Sequence, residues 1–129
     1  LLSHHPRIHL SAPLGYLDLV AALRSAALVL TDSGGIQEEA PTFGAPVLVL
    51  REATERPEGV EAGVARLVGT RRERILDHAR ELLAQTGSPS KAGSRSNPYG
   101  DGRAGERIAD IVVSYLTGGG RVTSDWTPA

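Results

Sequence analysis

The stretch LVLTDSGGIQEEAPTFGAPVLVL, residues 28 to 50, decides the fold class. It begins and ends with a short apolar run, 28 to 31 and 46 to 50, and neither run alternates with polar residues. Continuous apolar runs are typical of strands that are buried on both faces of a parallel sheet. Between them, three apolar residues recur at helical spacing: Ile36, Ala40 and Phe43. A strand, a helix and a strand in this order predict a right-handed βαβ unit.

The same patterns continue outward on both sides of this unit. Two more strands are predicted at 7 to 10 and 66 to 68. Helices are predicted at 16 to 27, 34 to 43, 58 to 63, 71 to 85 and 103 to 117. The expected fold is therefore α/β, with four strands of a doubly wound parallel sheet, which is a partial Rossmann-like domain.

Two residues should shape the second helix, and two segments should lack regular structure. Pro41 removes a helical hydrogen bond, so the helix should be short or kinked, and Gly44 should end it. Turn-forming residues dominate 86 to 102, which predicts a long mobile loop. We expect a domain at 1 to 117 and a flexible tail at 118 to 129.

Composition excludes several classes of protein and of site. The chain has 129 residues and no cysteine, so disulfides and thiolate metal sites are excluded, and the cytoplasm is the default location. A net charge of -1 gives no broad attraction to nucleic acid or to an anionic membrane surface. No apolar run approaches the ~20 residues of a membrane span. Because the chain begins at Leu1 and contains no methionine, we expect a piece of a longer protein.

A serine and two glycines, Ser33, Gly34 and Gly35, follow the strand predicted at 28 to 31. Ligands collect at the carboxyl ends of parallel strands, and glycines allow an anion to approach free backbone N–H groups. The stretch is neither a Walker loop nor a G-x-G-x-x-G motif. It is interpreted as a phosphate cradle, and a plain tight turn is an equally acceptable alternative.

Two adjacent glutamates occupy the helix that follows this turn. At 100° per residue, Glu38 lies nearly opposite the apolar stripe and should point to water. Glu39 lies on the flank that faces the carboxyl edge of the sheet, where it could accept hydrogen bonds from sugar hydroxyls. The alternative is that both carboxylates merely favour the positive helix end.

Arg56 lies in the loop after the strand predicted at 46 to 50, and therefore at the same sheet edge. Its guanidinium could pair with a diphosphate, and a solvated arginine is the alternative. The histidines predict no metal site. His4, His5 and His9 have no carboxylate at ligand spacing, and His78 should be solvated on a charged helix face.

Ordered motifs along residues 7 to 117 closely resemble the carboxyl-terminal part of bacterial non-hydrolysing UDP-N-acetylglucosamine 2-epimerases. The motifs are PLGYLDLV (13 to 20), TDSGGIQEEAPTFGAPVLVLR (31 to 51), TERPEGVEAG (54 to 63), RLVGT (66 to 70) and NPYGDGRAGERI (97 to 108). The resemblance implies a GT-B type fold, in which two Rossmann-like domains hold a UDP-sugar between them.

The resemblance also implies roles for single residues. Ser33, Gly34 and Gly35 would bind the diphosphate, Glu39 the ribose hydroxyls, and Arg56 the nucleotide. Leu19 stands where the family commonly has an aromatic residue against the uracil, so stacking would be lost. In the family, the carboxylates and the histidine that act on the sugar lie upstream of these motifs. This chain should therefore contain no catalytic residue and need no metal or cofactor.

The expected activity of the parent protein is interconversion of UDP-N-acetylglucosamine and UDP-N-acetylmannosamine by elimination and re-addition of UDP, in polysaccharide biosynthesis. The expected partners are UDP and a UDP-N-acetylhexosamine, the missing amino-terminal domain and further copies of the protein, with neither nucleic acid nor a membrane. This chain alone should be inactive. Three alternatives remain open: a GT-B glycosyltransferase, a hydrolysing epimerase, and a non-catalytic nucleotide-binding or interaction module.

Overall fold

The computed structural model describes residues 5 to 85 and 97 to 127. Its elements in chain order are α1 (Tyr16–Ser25), β1 (Val29–Thr31), α2 (Gly34–Glu39), a 3-10 helix (Ala40–Phe43), β2 (Val47–Val49), α3 (Pro57–Glu61), β3 (Ala65–Leu67), α4 (Arg72–Gln85) and α5 (Ala104–Thr117). The strand, helix, strand order predicted for residues 28 to 50 is confirmed. No helix in the described part of the chain is long and apolar enough to cross a membrane.

The three strands form one parallel sheet in the order β1-β2-β3. In the central strand β2 all three residues are buried, because strands cover it on both sides and helices pack on its faces. Its Val47 pairs with Val29 of β1 and with Ala65 of β3. Parallel pairing with helical crossovers confirms the α/β class.

The strand predicted at 7 to 10 is wrong: this segment carries no strand, and Ile8 and Leu10 are 37% and 65% exposed. A strand forms only where a neighbour satisfies its backbone hydrogen bonds. In the common doubly wound order 3-2-1-4-5-6, the third strand is not adjacent to the fourth. If β1 is the fourth strand in this order, the segment at 7 to 10 corresponds to the third strand, which does not lie next to β1, β2 or β3.

The second helix behaves as its proline predicts. The α-helix α2 gives way to 3-10 geometry at Ala40, and Pro41 stands in the first turn of that 3-10 segment, where its missing N–H costs least. Gly44 ends the segment in the left-handed conformation with φ 75°. Ala40 and Pro41 are both buried, so this short segment also fixes the helix against the sheet.

The core joins α1, the α2 segment and the sheet. Its buried members are Leu23, Ala40, Val47, Val49 and Ala65, and the residues packed against it include Leu19, Ile36 and Phe43. Ile36, Ala40 and Phe43 thus form the inward stripe predicted from their spacing. In α1, Leu23 is buried in the core, whereas Leu17 is 80% exposed.

The two last helices are amphipathic, and they are covered to different degrees. Ile75, Ala79 and Leu82 of α4 are half-buried on one face. No residue of α5 is buried. Its apolar face is exposed at Ile108, Ile111, Val112 and Tyr115.

Short polar contacts hold α5 to its flanking segments. Asp110 accepts hydrogen bonds from the backbone N–H groups of Val122 and Thr123, at 2.9 and 2.6 Å. The predicted flexibility of the tail stays a prediction, and residues 128 to 129 lie outside the described residues. Residues 86 to 96 of the predicted loop also lie outside them, while 97 to 100 form a turn.

Candidate functional site

The carboxyl ends of β1, β2 and β3 meet at one edge of the sheet, because the strands are parallel and in register. The loops that leave this edge are residues 32 to 33, 50 to 56 and 68 to 71. The first leads into α2 and the second into α3. The predicted site residues other than Leu19 all lie in the first two loops or in α2.

The glycine turn is a tight transition from β1 into α2. The backbone N–H of Ser33 donates to Thr31 Oγ1 at 3.0 Å, and α2 begins at the next residue, Gly34. Ser33 is exposed, and its hydroxyl makes no capping hydrogen bond to the helix. The serine hydroxyl and the first N–H groups of α2 are therefore at the protein surface, where an anion could reach them.

Gly34 allows the loop after β2 to approach the turn closely. A Cβ atom at this position would lie 2.8 Å from Glu55 Oε1 and 4.0 Å from Arg56 Nη2. Only a glycine fits here without displacement of Glu55. At Gly35 the same atom would meet nothing nearer than Ser33 Oγ at 3.9 Å. The structure thus brings Arg56 to the glycine turn.

The guanidinium of Arg56 is held by its neighbours and is partly exposed. Its Nε donates to Glu38 Oε1, and its Nη1 donates to the carbonyl oxygen of Glu55 at 3.3 Å. The pKa of Arg56 is raised above its ordinary value, because Glu38 accepts this hydrogen bond and attracts the cation. Glu55, which lies against the turn, has a lowered pKa, to which its own backbone N–H contributes most and Arg51 next.

The prediction that Glu38 points to water holds only in part. Its carboxylate pairs with Arg56, and its side chain is 41% exposed. Helical geometry placed Glu38 on the face away from the sheet, but the loop after β2 covers part of that face. The long side chain of Arg56 spans the remaining distance.

Glu39 is half-buried, and its Oε2 atom is buried with no hydrogen-bond partner among the described residues. A buried carboxylate oxygen without a donor is unfavourable. Such an atom suits a group that receives hydroxyl donors from a bound molecule. Leu19, the remaining predicted site residue, is partly buried and packs against the hydrophobic core.

The sequence analysis did not identify two polar residues at this edge, Gln37 and Thr54. Gln37 is fully buried, and its Oε1 accepts a hydrogen bond from the hydroxyl of Thr54 at 2.7 Å. Helical spacing places Gln37 roughly a quarter turn from the apolar stripe, which gives no clear signal for burial. A glutamine between the stripe and the solvent face would have been the only hint.

The histidines lie away from this edge or remain exposed. His5 and His9 are exposed, and His4 is outside the described residues. The prediction that His78 is merely solvated is wrong: its Nδ1 is 2.9 Å from Arg66 Nη1, and Glu81 lies 3.5 Å away. Within residues 5 to 85 and 97 to 127, no three His, Cys, Asp or Glu side chains are grouped to hold a metal ion.

Comparison with known proteins gives the family. The sequence model of UDP-N-acetylglucosamine 2-epimerases matches residues 1 to 113. The chain belongs to this family. A UDP-N-acetylglucosamine 2-epimerase of Bacillus subtilis (strain 168) is 51% identical over 109 residues, which are 84% of this chain and 29% of that protein.

Solved structures of the family agree with the fold. A family member from Listeria monocytogenes matches 98% of this chain and 33% of its own, with a TM-score of 0.88 and 47% identity. A structure of Staphylococcus aureus MnaA with UDP matches 99% of this chain and 34% of its own, with a TM-score of 0.83 and 44% identity. The chain thus spans about a third of these relatives. Its sheet and helices are consistent with a Rossmann-like part of a GT-B fold.

Proposed function

We propose that this chain provides the UDP-binding edge of a UDP-N-acetylglucosamine 2-epimerase. The observation that carries the proposal is the approach of Arg56 Nη2 to the glycine turn, where a Cβ atom on Gly34 would lie 4.0 Å from it. A guanidinium beside free backbone N–H groups and a serine hydroxyl offers several donors to one diphosphate. The S. aureus relative, whose structure contains UDP, supports the same ligand.

In the proposed complex, each site residue meets a different part of UDP. Ser33, Gly34 and Gly35 hold the diphosphate by their hydroxyl and backbone N–H groups, and Arg56 completes its surroundings. Glu39 accepts hydrogen bonds from the ribose hydroxyls, which would supply donors for its buried Oε2. Leu19, which is only partly buried against the core, would offer the uracil an apolar contact without aromatic stacking.

The whole protein would interconvert UDP-N-acetylglucosamine and UDP-N-acetylmannosamine. In the elimination step, the proton at C2 is removed and the bond between C1 and the UDP oxygen breaks, which leaves a 2-acetamidoglucal and UDP. UDP then adds back to C1 while C2 is protonated from the opposite face. Donors around the diphosphate stabilise the charge that develops on the leaving group.

This part of the protein contributes leaving-group stabilisation only. Acid and base groups must lie beside C2 of the sugar, and we propose that they belong to the part of the protein that this chain does not include. A cytoplasmic location, a homo-oligomeric assembly and a role in polysaccharide biosynthesis complete the proposal.

Product analysis of the full-length protein tests this function. Incubated with UDP-N-acetylglucosamine and no acceptor, the protein should form UDP-N-acetylmannosamine and reach equilibrium from either side. Release of free N-acetylmannosamine with UDP would assign a hydrolysing epimerase. Turnover that requires a sugar acceptor would assign a glycosyltransferase, and binding without turnover would assign a non-catalytic module.

A further inference from the structure

A hydrogen-bonded pair, fully buried at Gln37 and partly buried at Thr54, joins α2 to the loop that carries Arg56. Gln37 has no exposed surface, and its Oε1 accepts from the Thr54 hydroxyl at 2.7 Å. The two residues are 17 positions apart in the chain, one on α2 and one in the loop after β2. The pair therefore joins two elements that share no backbone hydrogen bond at this point.

Thr54 also forms a hydrogen bond with the backbone of Arg56. Thr54 Oγ1 accepts a hydrogen bond from the backbone N–H of Arg56 at 3.1 Å. A hydroxyl has one proton, and here it is donated to Gln37, so a lone pair is left for the Arg56 N–H. Gln37, Thr54 and the backbone of Arg56 thus form a continuous chain of hydrogen bonds.

The same helix also holds the other end of the arginine. Glu38, which is next to Gln37 in α2, accepts from Arg56 Nε. The helix that begins with the glycine turn at Gly34 thereby fixes both the backbone and the guanidinium of Arg56. Because Gly34 and Glu38 both belong to α2, this six-residue helix sets the distance between the glycine turn and the guanidinium of Arg56.

Packing alone does not explain the pair. Gln37 Nε2 is buried and has no hydrogen-bond partner among the described residues, which is unfavourable. An apolar residue of similar volume would fill this space without that penalty. What the apolar residue would lose is the directed contact to Thr54.

We propose that Gln37 and Thr54 are positioning residues of the UDP site, which act through Arg56 and do not touch the ligand. The proposal rests on the proposed function, because it assumes that Arg56 contacts the diphosphate. It assigns to the Gln37 side chain the task of holding the Arg56 loop at the glycine turn.

The test is a double-mutant cycle on the full-length protein, with UDP affinity from calorimetry as the readout. Thr54→Val removes both hydrogen bonds with little change of shape, and Thr54→Ser keeps them. Gln37→Met removes the acceptor and also the unpaired donor. Each change is made in the natural protein and in an Arg56→Ala background. Thr42→Val is the matched control, because it removes another threonine hydroxyl that accepts a side-chain hydrogen bond, from Asn97 at 2.8 Å.

Loss of one such contact is expected to weaken UDP binding about 3- to 10-fold. Thr54→Val and Gln37→Met should show this loss in the natural protein and less than about 2-fold loss with Arg56→Ala. Thr54→Ser and Thr42→Val should bind UDP as the natural protein does. The melting temperature of Gln37→Met should not fall in proportion to its affinity, since removal of the buried unpaired donor offsets the loss of the acceptor for the Thr54 hydroxyl.

The possible failures are distinguishable. If Arg56→Ala binds UDP normally, the proposed function fails at this residue, and the positioning role fails with it. If Arg56→Ala weakens binding but Thr54→Val and Gln37→Met do not, only the positioning role is overturned. Equal losses from Thr54→Val with and without Arg56 also overturn it, because they would indicate a general structural effect.

Discussion

At the scale of single residues, the site contains polar atoms that the protein itself does not satisfy. Glu39 has a buried carboxylate oxygen without a hydrogen-bond partner among the described residues, and the exposed Ser33 hydroxyl makes no capping hydrogen bond to the helix. A buried unsatisfied group such as the Glu39 oxygen lowers stability and is found where a ligand completes its hydrogen bonding. Affinity and stability should therefore respond in opposite directions when such a group is changed.

Glu39→Gln is expected to show this opposition. The isosteric amide removes the buried charge, so the unliganded protein should be at least as stable as the natural one in chemical denaturation. UDP binding should weaken about 10- to 100-fold, because hydrogen bonds to a charged acceptor are lost. The exposed Glu61 on α3 provides the matched control, since Glu61→Gln should change neither property. A destabilised Glu39→Gln protein with normal UDP affinity would contradict this role.

At the scale of elements, the turn at 97 to 100 packs against the segments that carry the site. Asn97 Nδ2 donates to Thr42 Oγ1 at 2.8 Å, beside the 3-10 helix that follows α2. Tyr99 lies against Gly59 of α3, where a Cβ atom would overlap the tyrosine hydroxyl. Burial raises the pKa of Tyr99 above its ordinary value, since the charged phenolate would be poorly solvated there. The turn at 97 to 100 thus packs against α3.

Gly59→Ala should destabilise the protein, although alanine is the better helix former by about 1 kcal/mol. The new methyl group would displace the ring of Tyr99, at a cost of about 1 to 3 kcal/mol. Denaturant unfolding measures the difference. Tyr99→Phe removes the overlapping oxygen, so the Gly59→Ala change should cost less in that background. Equal costs in both backgrounds would show that Tyr99 is not the obstacle.

The start of α5 should be sensitive to acid. Arg107 donates two hydrogen bonds of 2.8 Å to Asp101, and these bonds, together with one from the Arg103 N–H, hold the pKa of Asp101 well below its usual range. A lowered pKa in the folded state stabilises the protein above the unfolded pKa of about 3.9, and this contribution is lost as the pH falls below it.

Hydrogen exchange of the α5 amides, measured from pH 6 down to pH 2 and corrected for intrinsic rates, should therefore show loss of protection below about pH 4. Asp101→Asn should be less protected than the natural protein at pH 6 and show a weaker acid dependence. The exposed Asp77 of α4 is the control, and Asp77→Asn should behave as the natural protein. The same acid dependence in Asp101→Asn would contradict the assignment.

The elements that could be predicted from the sequence are those whose pattern is local. Apolar runs gave β1, β2 and β3, and proline and glycine chemistry gave the short α2 with its end at Gly44. The segment at 7 to 10 has the same local pattern, but a strand also requires a neighbour, and none is present among the described residues. The contact of Glu38 with Arg56 and the burial of Gln37 depend on the loop after β2, and helical period alone carries no information about that loop.

At the scale of the whole molecule, apolar surface remains exposed that a finished domain would cover. Tyr115 and Leu116 of α5 are 86% and 74% exposed, and Leu30 of the edge strand β1 is 46% exposed. No element among the described residues covers this surface, and the chain spans about a third of its structural relatives. Exposed apolar faces and open strand edges favour association.

The isolated chain should therefore self-associate. Size-exclusion chromatography with light scattering should give a mass above 13.6 kDa that rises with concentration. Ile108→Lys together with Tyr115→Lys should shift the chain toward the monomer, while Ala109→Lys, which adds one charge outside the apolar face of α5, should change the mass less. A chain that is monomeric at all concentrations would show that α5 is covered in some other way.

The central claim, that this sheet edge binds UDP, is tested most directly by calorimetric titration of the full-length protein with UDP, beside Glu39→Ala and Arg56→Ala. The account predicts saturable binding by the natural protein and at least about 10-fold weaker binding by each folded variant. Unchanged affinity in both variants would contradict it, and would indicate that the glycine turn is a plain tight turn with no role in binding UDP.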